Sequence, residues 1–257
     1  MKSLLTLATL ASALLASTAS AQESVRFIAC PVYRDTNSGL KSGCWLATDP
    51  ATGIRWDVSQ SPYKPDWHFA VLVEGTTTDA AAEQPCGAPV LDPVRTSRLE
   101  TSCNPRLLPA EGYPGRVFTL PARNLRPLTA PPPPPAGPIA DRSFSMFFEF
   151  DRAFTVYQYS DYLLDQAAQF IRATNPARLV ITGFAASTPE TISGEVLAER
   201  SDVARERAEM VALSLSRQFP DLPMETRTVI GATVNNHPDA DGIPGQSQRR
   251  VEIMVQF

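Results

Sequence analysis

The sequence contains few of the residue patterns that enzymes use. Its 257 residues include only two histidines, His68 and His237, and neither lies in a recognisable catalytic motif. There is no G-x-S-x-G nucleophile elbow, no P-loop, no G-x-G-x-x-G turn and no H-E-x-x-H zinc motif. We therefore predict a protein that is not an enzyme and that uses no cofactor and no metal.

Long apolar runs and excess basic charge are also missing from most of the chain. The net charge of −4 gives no reason to expect binding to nucleic acid or to anionic lipid. Residues 1–21 are the exception, with Lys2 before an apolar run at 4–15 and a small-x-small cleavage site at 19–21. This layout is typical of a secretory signal peptide. The run is too short to span a bilayer, which needs about 20 apolar residues. No cysteine follows the cleavage site directly, which argues against a lipid anchor. From the signal-peptide pattern we predict an exported protein.

Cysteine is scarce, and all four cysteines lie in the first half of the chain: Cys30, Cys44, Cys86 and Cys103. An even number in an exported chain predicts disulfides. A zinc site is the alternative, but no C-x-x-C motif is present and both histidines are far from the cysteines in sequence. Four cysteines allow three pairings. Because nearest neighbours close short loops, we predict Cys30–Cys44 and Cys86–Cys103.

Proline, in contrast, is abundant, and its clustering divides the chain. The segment "TAPPPPPAGP" at 129–138 holds many of the 24 prolines. Such a segment favours the extended polyproline form and acts as a semi-rigid spacer. We predict a linker at 129–140 between an N-terminal domain at 22–128 and a C-terminal domain at 141–257. We also expect the two domains to fold independently.

The N-terminal domain has the pattern of an all-β fold. Short runs rich in aromatic and β-branched residues are separated by Gly, Pro, Asp and Asn, as in "VRFIACPVY", "GIRWDVSQ" and "HFAVLVEGTTT". No helical period is present. We predict a small barrel or sandwich that is stapled by disulfides.

The C-terminal domain has a mixed pattern. Strands are predicted at 144–151, 177–185, 224–234 and 249–257. A helix is predicted from Ser160 to about Asn175, and a second helix carries an apolar stripe between Ala204 and Phe219. The order β-α-β-α-β-β predicts a two-layer α+β domain with both helices against one sheet.

Four segments of this half, in this order, resemble a known family: "FFEFDRA" (147–153), "LVITGFA" (179–185), "RERAEMVALSL" (205–215) and "QRRVEIMV" (248–255). With this spacing they are similar to the OmpA-like peptidoglycan-binding domain of Gram-negative envelope proteins. The resemblance covers about residues 143–257 and does not extend to the N-terminal half.

The resemblance implies a binding site for the diaminopimelate of the peptidoglycan stem. In the family an arginine of the second helix holds a carboxylate, and an aspartate after the second strand holds the ammonium group. The helix motif places the arginine at Arg207, and the aspartate position falls on Ala186, with about six extra residues between them. A register without the insertion would put Ser201 at the arginine position and lose both charges. Since Arg207 lies beside the apolar stripe, we expect that its loss would leave the domain folded.

The extra residues carry two acids, Glu190 and Glu195, that could replace the missing aspartate. The alternative is that both are solvated acids near the start of a helix, where glutamate is favourable anyway. Arg207 could likewise be a surface arginine that pairs with a glutamate of its own helix.

The resemblance implies a non-catalytic protein of the periplasm, associated with the cell wall or the outer membrane, that binds peptidoglycan weakly because Ala186 replaces the acid. The alternative is an OmpA-like fold without cell-wall binding that serves as a protein–protein interaction module. In either case an envelope protein is a possible partner of the N-terminal domain. A hydrolase that uses paired carboxylates of the N-terminal domain is a third class, although no catalytic constellation supports it.

Overall fold

The computed structural model describes residues 23–35, 41–78, 84–110, 112–113, 115–117, 138–154, 157–186, 188–231 and 237–257. The predicted signal peptide and linker residues 129–137 lie outside this part of the chain. Export and the position of the linker therefore stay predictions.

The described part of the N-terminal half contains only strands, in line with its sequence pattern. The strands are β1 (Ser24–Ala29), β2 (Val32–Arg34), β3 (Lys41–Ser42), β4 (Cys44–Thr48), β5 (Arg55–Asp57), β6 (Phe69–Thr77), β7 (Leu91–Ser102), β8 (Leu107–Leu108) and β9 (Arg116–Val117). They form sheets of order β1-β6-β7, β5-β4-β2-β8 and β3-β9.

Strand β6 is the centre of this half because both of its faces are buried. Val71 and Val73 pack with Phe27 in one apolar cluster, whereas Ala70 and Leu72 belong to a second cluster. Successive side chains of a strand point to opposite faces, so the continuous apolar run "FAVLV" supplies both clusters at once.

The four cysteines form two disulfides, but the predicted pairing is wrong. The bonds are Cys30–Cys103 and Cys44–Cys86, with Cα atoms 5.7 and 5.8 Å apart. β1 and β7 are the two neighbours of β6 in one sheet, and this arrangement brings Cys30 at the end of β1 close to Cys103 just after β7. Pairing therefore follows strand order and not distance along the chain. The longer loop, with a sequence separation of 73, stabilises the fold by about 4 kcal/mol in the chain-entropy model.

The C-terminal half contains the predicted elements and two additions. In chain order they are β10 (Arg142–Phe147), α1 (Tyr157–Thr174), β11 (Arg178–Ala185), β12 (Glu190–Ile192), β13 (Glu195–Leu197), α2 (Val203–Ser216), β14 (Met224–Ile230), α3 (Pro244–Gln248) and β15 (Arg250–Gln256). The sheet order is β10-β15-β11-β14, with β11 and β14 parallel and the other pairs antiparallel. Both long helices pack on this sheet. The shared core includes Phe170, Ile181, Val211, Leu215 and Ile253.

The predicted extra residues form a hairpin between β11 and α2. β12 and β13 pair in antiparallel fashion around Ser193 and Gly194, which have φ angles of 50° and 83°. Two central residues with positive φ are typical of the tight turn that matches the natural twist of a hairpin. The hairpin and the short α3 are the additions to the predicted order.

The two halves of the chain are in close contact. Phe150 and Ile192 of the C-terminal half share an apolar cluster with Ile28, Leu72 and Leu99 of the N-terminal half. Two hydrogen bonds cross the same boundary, from the Tyr63 hydroxyl to the Phe147 carbonyl at 2.8 Å and from the Phe150 N–H to the Ser97 Oγ at 2.9 Å. Independent folding of each half stays a prediction. Separation of the halves would expose the apolar cluster that they share.

Candidate functional site

The candidate site is the corner where β11 ends and α2 crosses it. Gly183 of β11 allows the close approach of the helix, because a Cβ atom at this position would lie 1.9 Å from the Ala204 carbonyl oxygen. One helical turn later, Arg207 lies over the end of β11 and over the loop that follows β10. We refer to Arg207, Ala186, Asp151 and the groups between them as the Arg207 corner.

Arg207 is completely buried, contrary to the expectation of a side chain beside the apolar stripe. Its Nε donates to the Arg152 carbonyl at 2.8 Å, Nη1 to the Phe184 carbonyl at 2.8 Å and Nη2 to the Glu149 carbonyl at 3.0 Å. The guanidinium also lies over the ring of Phe148, 5.3 Å from its centroid. Two carbonyl groups of the loop after β10 and one of β11 thus fix the guanidinium in position.

The acid that faces Arg207 is Glu199, which the sequence analysis did not single out. Its Oε1 accepts from Nη2 of Arg207 at 2.5 Å, and its Oε2 accepts from Nη1 at 3.1 Å. This two-point contact is the geometry in which a guanidinium binds a carboxylate most strongly. The pair is excluded from water, since neither side chain has accessible surface.

Ala186, at the position of the family's aspartate, contributes its backbone and no charge. Its N–H donates to Oε2 of Glu199 at 2.6 Å, while its carbonyl accepts from the N–H of Glu199 at 3.0 Å. The base of the hairpin therefore holds Glu199 against Ala186 through backbone and side chain together. The Asp151 N–H donates to Oε1 at 2.8 Å and completes the set of donors.

Glu190 and Glu195 do not supply the acid of the Arg207 corner. Both lie in the hairpin and are exposed. Glu190 pairs with Arg26 of the N-terminal half. Neither is among the hydrogen-bond or ion-pair partners of Arg207 in the described part of the chain, where the acid that contacts Arg207 is Glu199.

The electrostatics of the corner keep Glu199 ionised. Burial by itself raises the pKa of this carboxyl group, but the adjacent Arg207 charge and the hydrogen bonds from Arg207 and Ala186 outweigh burial, and the net pKa lies below its ordinary value. A carboxylate in this position is thus a charged ligand of the guanidinium and not a neutral acid.

A second buried ion pair links this region to the N-terminal half. Glu74 of β6 accepts from Arg249, which precedes β15, and both residues are almost completely buried. Glu74 also accepts from Nε of Arg26 at 2.9 Å, and Arg26 in turn binds Glu190 of the hairpin. Arg249, Glu74, Arg26 and Glu190 therefore form a row of ion pairs that connects the N-terminal sheet to the hairpin before Glu199.

Two cavities lie beside the Arg207 corner. One has a volume of about 280 Å³ and is lined by residues that include Arg98, Glu100, Asp151, Arg152 and Arg200. The other is smaller and lies beside Ala186. It has a volume of about 50 Å³ and is lined by residues that include Arg26, Ala186, Thr188, Glu190 and Arg249. A larger open groove of about 510 Å³ lies elsewhere, beside Arg172 and Phe219, and contains none of the predicted site residues.

In the part of the chain that the structure describes, no group of three or more His, Cys, Asp or Glu side chains is arranged to hold a metal ion. Of the helices described, none has the length and apolar character needed to cross a membrane.

Comparison with known proteins gives structural neighbours but no family assignment. No family model matches the chain, and a search of curated proteins found no match. Among solved structures, the cell wall anchor of the T6SS from Pseudomonas aeruginosa is similar with 20% identity and a TM-score of 0.34, over 46% of this chain and 83% of that chain. The OmpA-like domain of FopA1 from Francisella tularensis subsp. tularensis SCHU S4 is similar with 19% identity and a TM-score of 0.33, over 45% of this chain and 71% of that chain.

Proposed function

We propose that this chain is a non-catalytic, periplasmic protein of the cell envelope. In its OmpA-like half the site at Arg207 is closed, which means that Glu199 occupies it. This half makes contacts with protein instead of holding a peptidoglycan stem. The observation that carries the proposal is the Glu199–Arg207 pair. A guanidinium has five N–H donors, and the five hydrogen bonds of Arg207 all go to groups of the same chain. None is left for the carboxylate of a cell-wall peptide.

The surroundings of Ala186 support the same proposal. An incoming ammonium group would meet a methyl group in place of an acid, and the nearest acid of the cavity, Glu190, is already paired with Arg26. A cavity of about 50 Å³ is also far smaller than the roughly 300–1,000 Å³ of ordinary small-molecule sites.

The protein-contact role is supported by the packing of the hairpin. Ile192 packs with Ile28 and Leu72 of the N-terminal half, and Ser193 Oγ accepts from the Ile28 N–H at 3.0 Å. The surface of the N-terminal half therefore covers part of the hairpin. The N-terminal half is thus a partner of the OmpA-like half, and an envelope protein bound to the N-terminal half would act through this contact.

Peptidoglycan binding is the second candidate, and one observation favours it. The Arg207 corner still holds a carboxylate, so its donors suit the acid group of diaminopimelate once Glu199 has left. The two candidates differ in what they require of the closed state. The protein-contact role requires Glu199 to stay bound to Arg207. Peptidoglycan binding requires Glu199 to leave Arg207 in the presence of the cell wall.

Co-sedimentation of the mature protein with purified sacculi tests the proposal. We expect the wild-type protein to stay in the supernatant at physiological salt and to release no soluble fragments from the sacculi. Saturable pelleting that free diaminopimelate reverses would contradict the proposal in favour of the second candidate. Release of fragments would contradict the non-catalytic assignment.

A further inference from the structure

The four hydrogen bonds to Glu199 describe a complete receptor for a carboxylate group. Two come from the fork of Arg207, at 2.5 and 3.1 Å, and two come from the backbone N–H groups of Ala186 and Asp151, at 2.6 and 2.8 Å. Each carboxylate oxygen therefore accepts one charged and one neutral hydrogen bond. Such charge-assisted contacts in a buried site are among the strongest polar interactions in proteins.

The donors of the receptor belong to other elements than the segment that carries Glu199. Arg207 belongs to α2, Ala186 follows β11, and Asp151 follows β10, so its parts come from three different elements. The guanidinium is also held by the carbonyl groups of Arg152, Phe184 and Glu149, none of which belongs to the segment that carries Glu199. A receptor whose donors are fixed in advance loses little entropy when a ligand binds.

Glu199 lies just after the hairpin, in a segment that supplies none of the donors of the receptor. The segment between β13 and α2 carries it, and the base of the hairpin is held by the backbone hydrogen bond from Glu199 to Ala186. The small cavity beside Ala186 lies on the same side, with Arg26 and Thr188 in its lining. The carboxylate is thus a tethered occupant that arrives on a separate segment.

We propose that Glu199 is a built-in ligand of a carboxylate-binding site formed by Arg207 and the N–H groups of Ala186 and Asp151. A free carboxylate binds to this site only when the Glu199 carboxylate is absent or displaced. The proposal goes beyond the proposed function, because it assigns a ligand class to the site whether or not peptidoglycan is ever bound.

Chemical rescue of Glu199→Ala with sodium acetate tests this assignment. The variant leaves the charged receptor empty, and acetate supplies the missing carboxylate without the tether. We expect the melting temperature of Glu199→Ala to rise with acetate concentration in a saturable way, by about 2 °C or more above the same concentration of sodium chloride. The wild-type protein should show no such difference, because its receptor is filled.

Two matched variants make the result specific. Glu195→Ala removes an exposed carboxylate of the same hairpin and should respond to acetate as the wild type does. Glu199→Gln keeps a neutral occupant in the receptor, so we expect much less rescue than in Glu199→Ala. If Glu199→Ala fails to fold in chloride, its refolding yield in acetate against chloride replaces the melting temperature as the measurement.

The proposal is overturned if acetate and chloride act alike on Glu199→Ala, whether the variant folds in both or in neither. It is also overturned if the wild type gains as much from acetate as the variant does. These outcomes are independent of the sacculus experiment, because wild-type pelleting contradicts the closed-state function and leaves the acetate result unchanged. A second titration with diaminopimelate shows whether the opened receptor accepts a carboxylate that carries a neighbouring ammonium group.

Discussion

At the scale of single residues, Glu199 and Arg207 form a fully buried ion pair in the C-terminal half. Removing two charges from water is costly, and their attraction offsets this cost only when geometry and hydrogen bonding are good. Here every donor of Arg207 and both oxygens of Glu199 are satisfied. The pair therefore adds little net stability compared with apolar side chains, but the loss of one partner leaves a buried charge without compensation.

Arg207→Ala is expected to destabilise the protein by about 3–5 kcal/mol, because Glu199 would stay buried without its counter-ion. Urea denaturation at pH 7 measures this free energy of unfolding. Arg205→Ala is the matched control, since Arg205 lies on the same helix, is exposed and pairs with Glu209 at its surface. Equal urea midpoints for the two variants would show that Arg207 is not the buried, paired residue described above.

The pKa of Glu199 gives a prediction about pH. Burial raises this pKa, but the charge of Arg207 and the hydrogen bonds lower it by more, so the folded-state pKa lies below the ordinary value of 4.5. The unfolded state then binds a proton first as the pH falls, and the stabilising contribution of the carboxylate is present above the unfolded pKa and lost below it. We expect the difference in unfolding free energy between wild type and Glu199→Gln to be largest near neutral pH and to shrink below about pH 4.5. Urea titrations between pH 3 and pH 7 measure it, with Glu195→Gln as the control for the loss of one charge. A difference that grows toward low pH would contradict the assignment.

At the scale of elements, the β12–β13 hairpin has a function that no single residue of it explains. It lengthens the connection between β11 and α2, delivers Glu199 to the Arg207 corner and inserts Ile192 into the cluster shared with the N-terminal half. A connection of this kind couples the state of the corner to the packing of the two halves. Whatever loosens the hairpin is therefore expected to loosen the hold on Glu199.

Ile192→Ala tests the role of the hairpin as a docking element. Ile192 is 6% exposed, and truncation of a buried isoleucine costs about 2–5 kcal/mol. Val196→Ala in the same hairpin is the control, because Val196 is 70% exposed. We expect a lower melting temperature for Ile192→Ala only. Similar losses for both variants, or for neither, would mean that the hairpin is not anchored through Ile192.

At the scale of the whole molecule, the two halves contact each other through a core and not only through a linker. The buried Glu74–Arg249 pair lies at this boundary, next to the apolar cluster of Ile28, Leu99 and Phe150. An interface with a buried ion pair and a shared apolar cluster favours one cooperative unit over two domains on a flexible connection.

Cleavage of the chain within residues 129–137, at an engineered protease site, tests this association. We expect the two fragments to elute together in gel filtration, because the described contacts between the halves stay intact. Glu74→Ala should weaken or abolish co-elution, since it leaves Arg249 buried without its partner. Glu100→Ala removes the exposed partner of Arg152 across the same boundary and should have little effect. Separate elution of the wild-type fragments would support two independent domains instead.

Much of the architecture could be predicted from the sequence, because it depends on local patterns. Runs rich in aromatic and β-branched residues predicted an all-β N-terminal half, and the three-to-four spacing predicted α1 and α2. The order of the C-terminal elements followed from such local patterns, and the family resemblance singled out Arg207. The even number of cysteines predicted disulfides, and all four cysteines form them.

The pairing of the cysteines, the partner of Arg207 and the contact between the halves were decided by the tertiary structure alone. Cys30 meets Cys103 because β6 lies between β1 and β7, and strand order is not encoded in any local period. Glu199 has no feature that distinguishes it from the exposed glutamates around it until the hairpin folds back onto Ala186. The free energy of the buried Glu199 charge depends on donors from Asp151, Ala186 and Arg207, which lie in three different parts of the chain. The residues next to Glu199 in sequence therefore cannot predict these contacts.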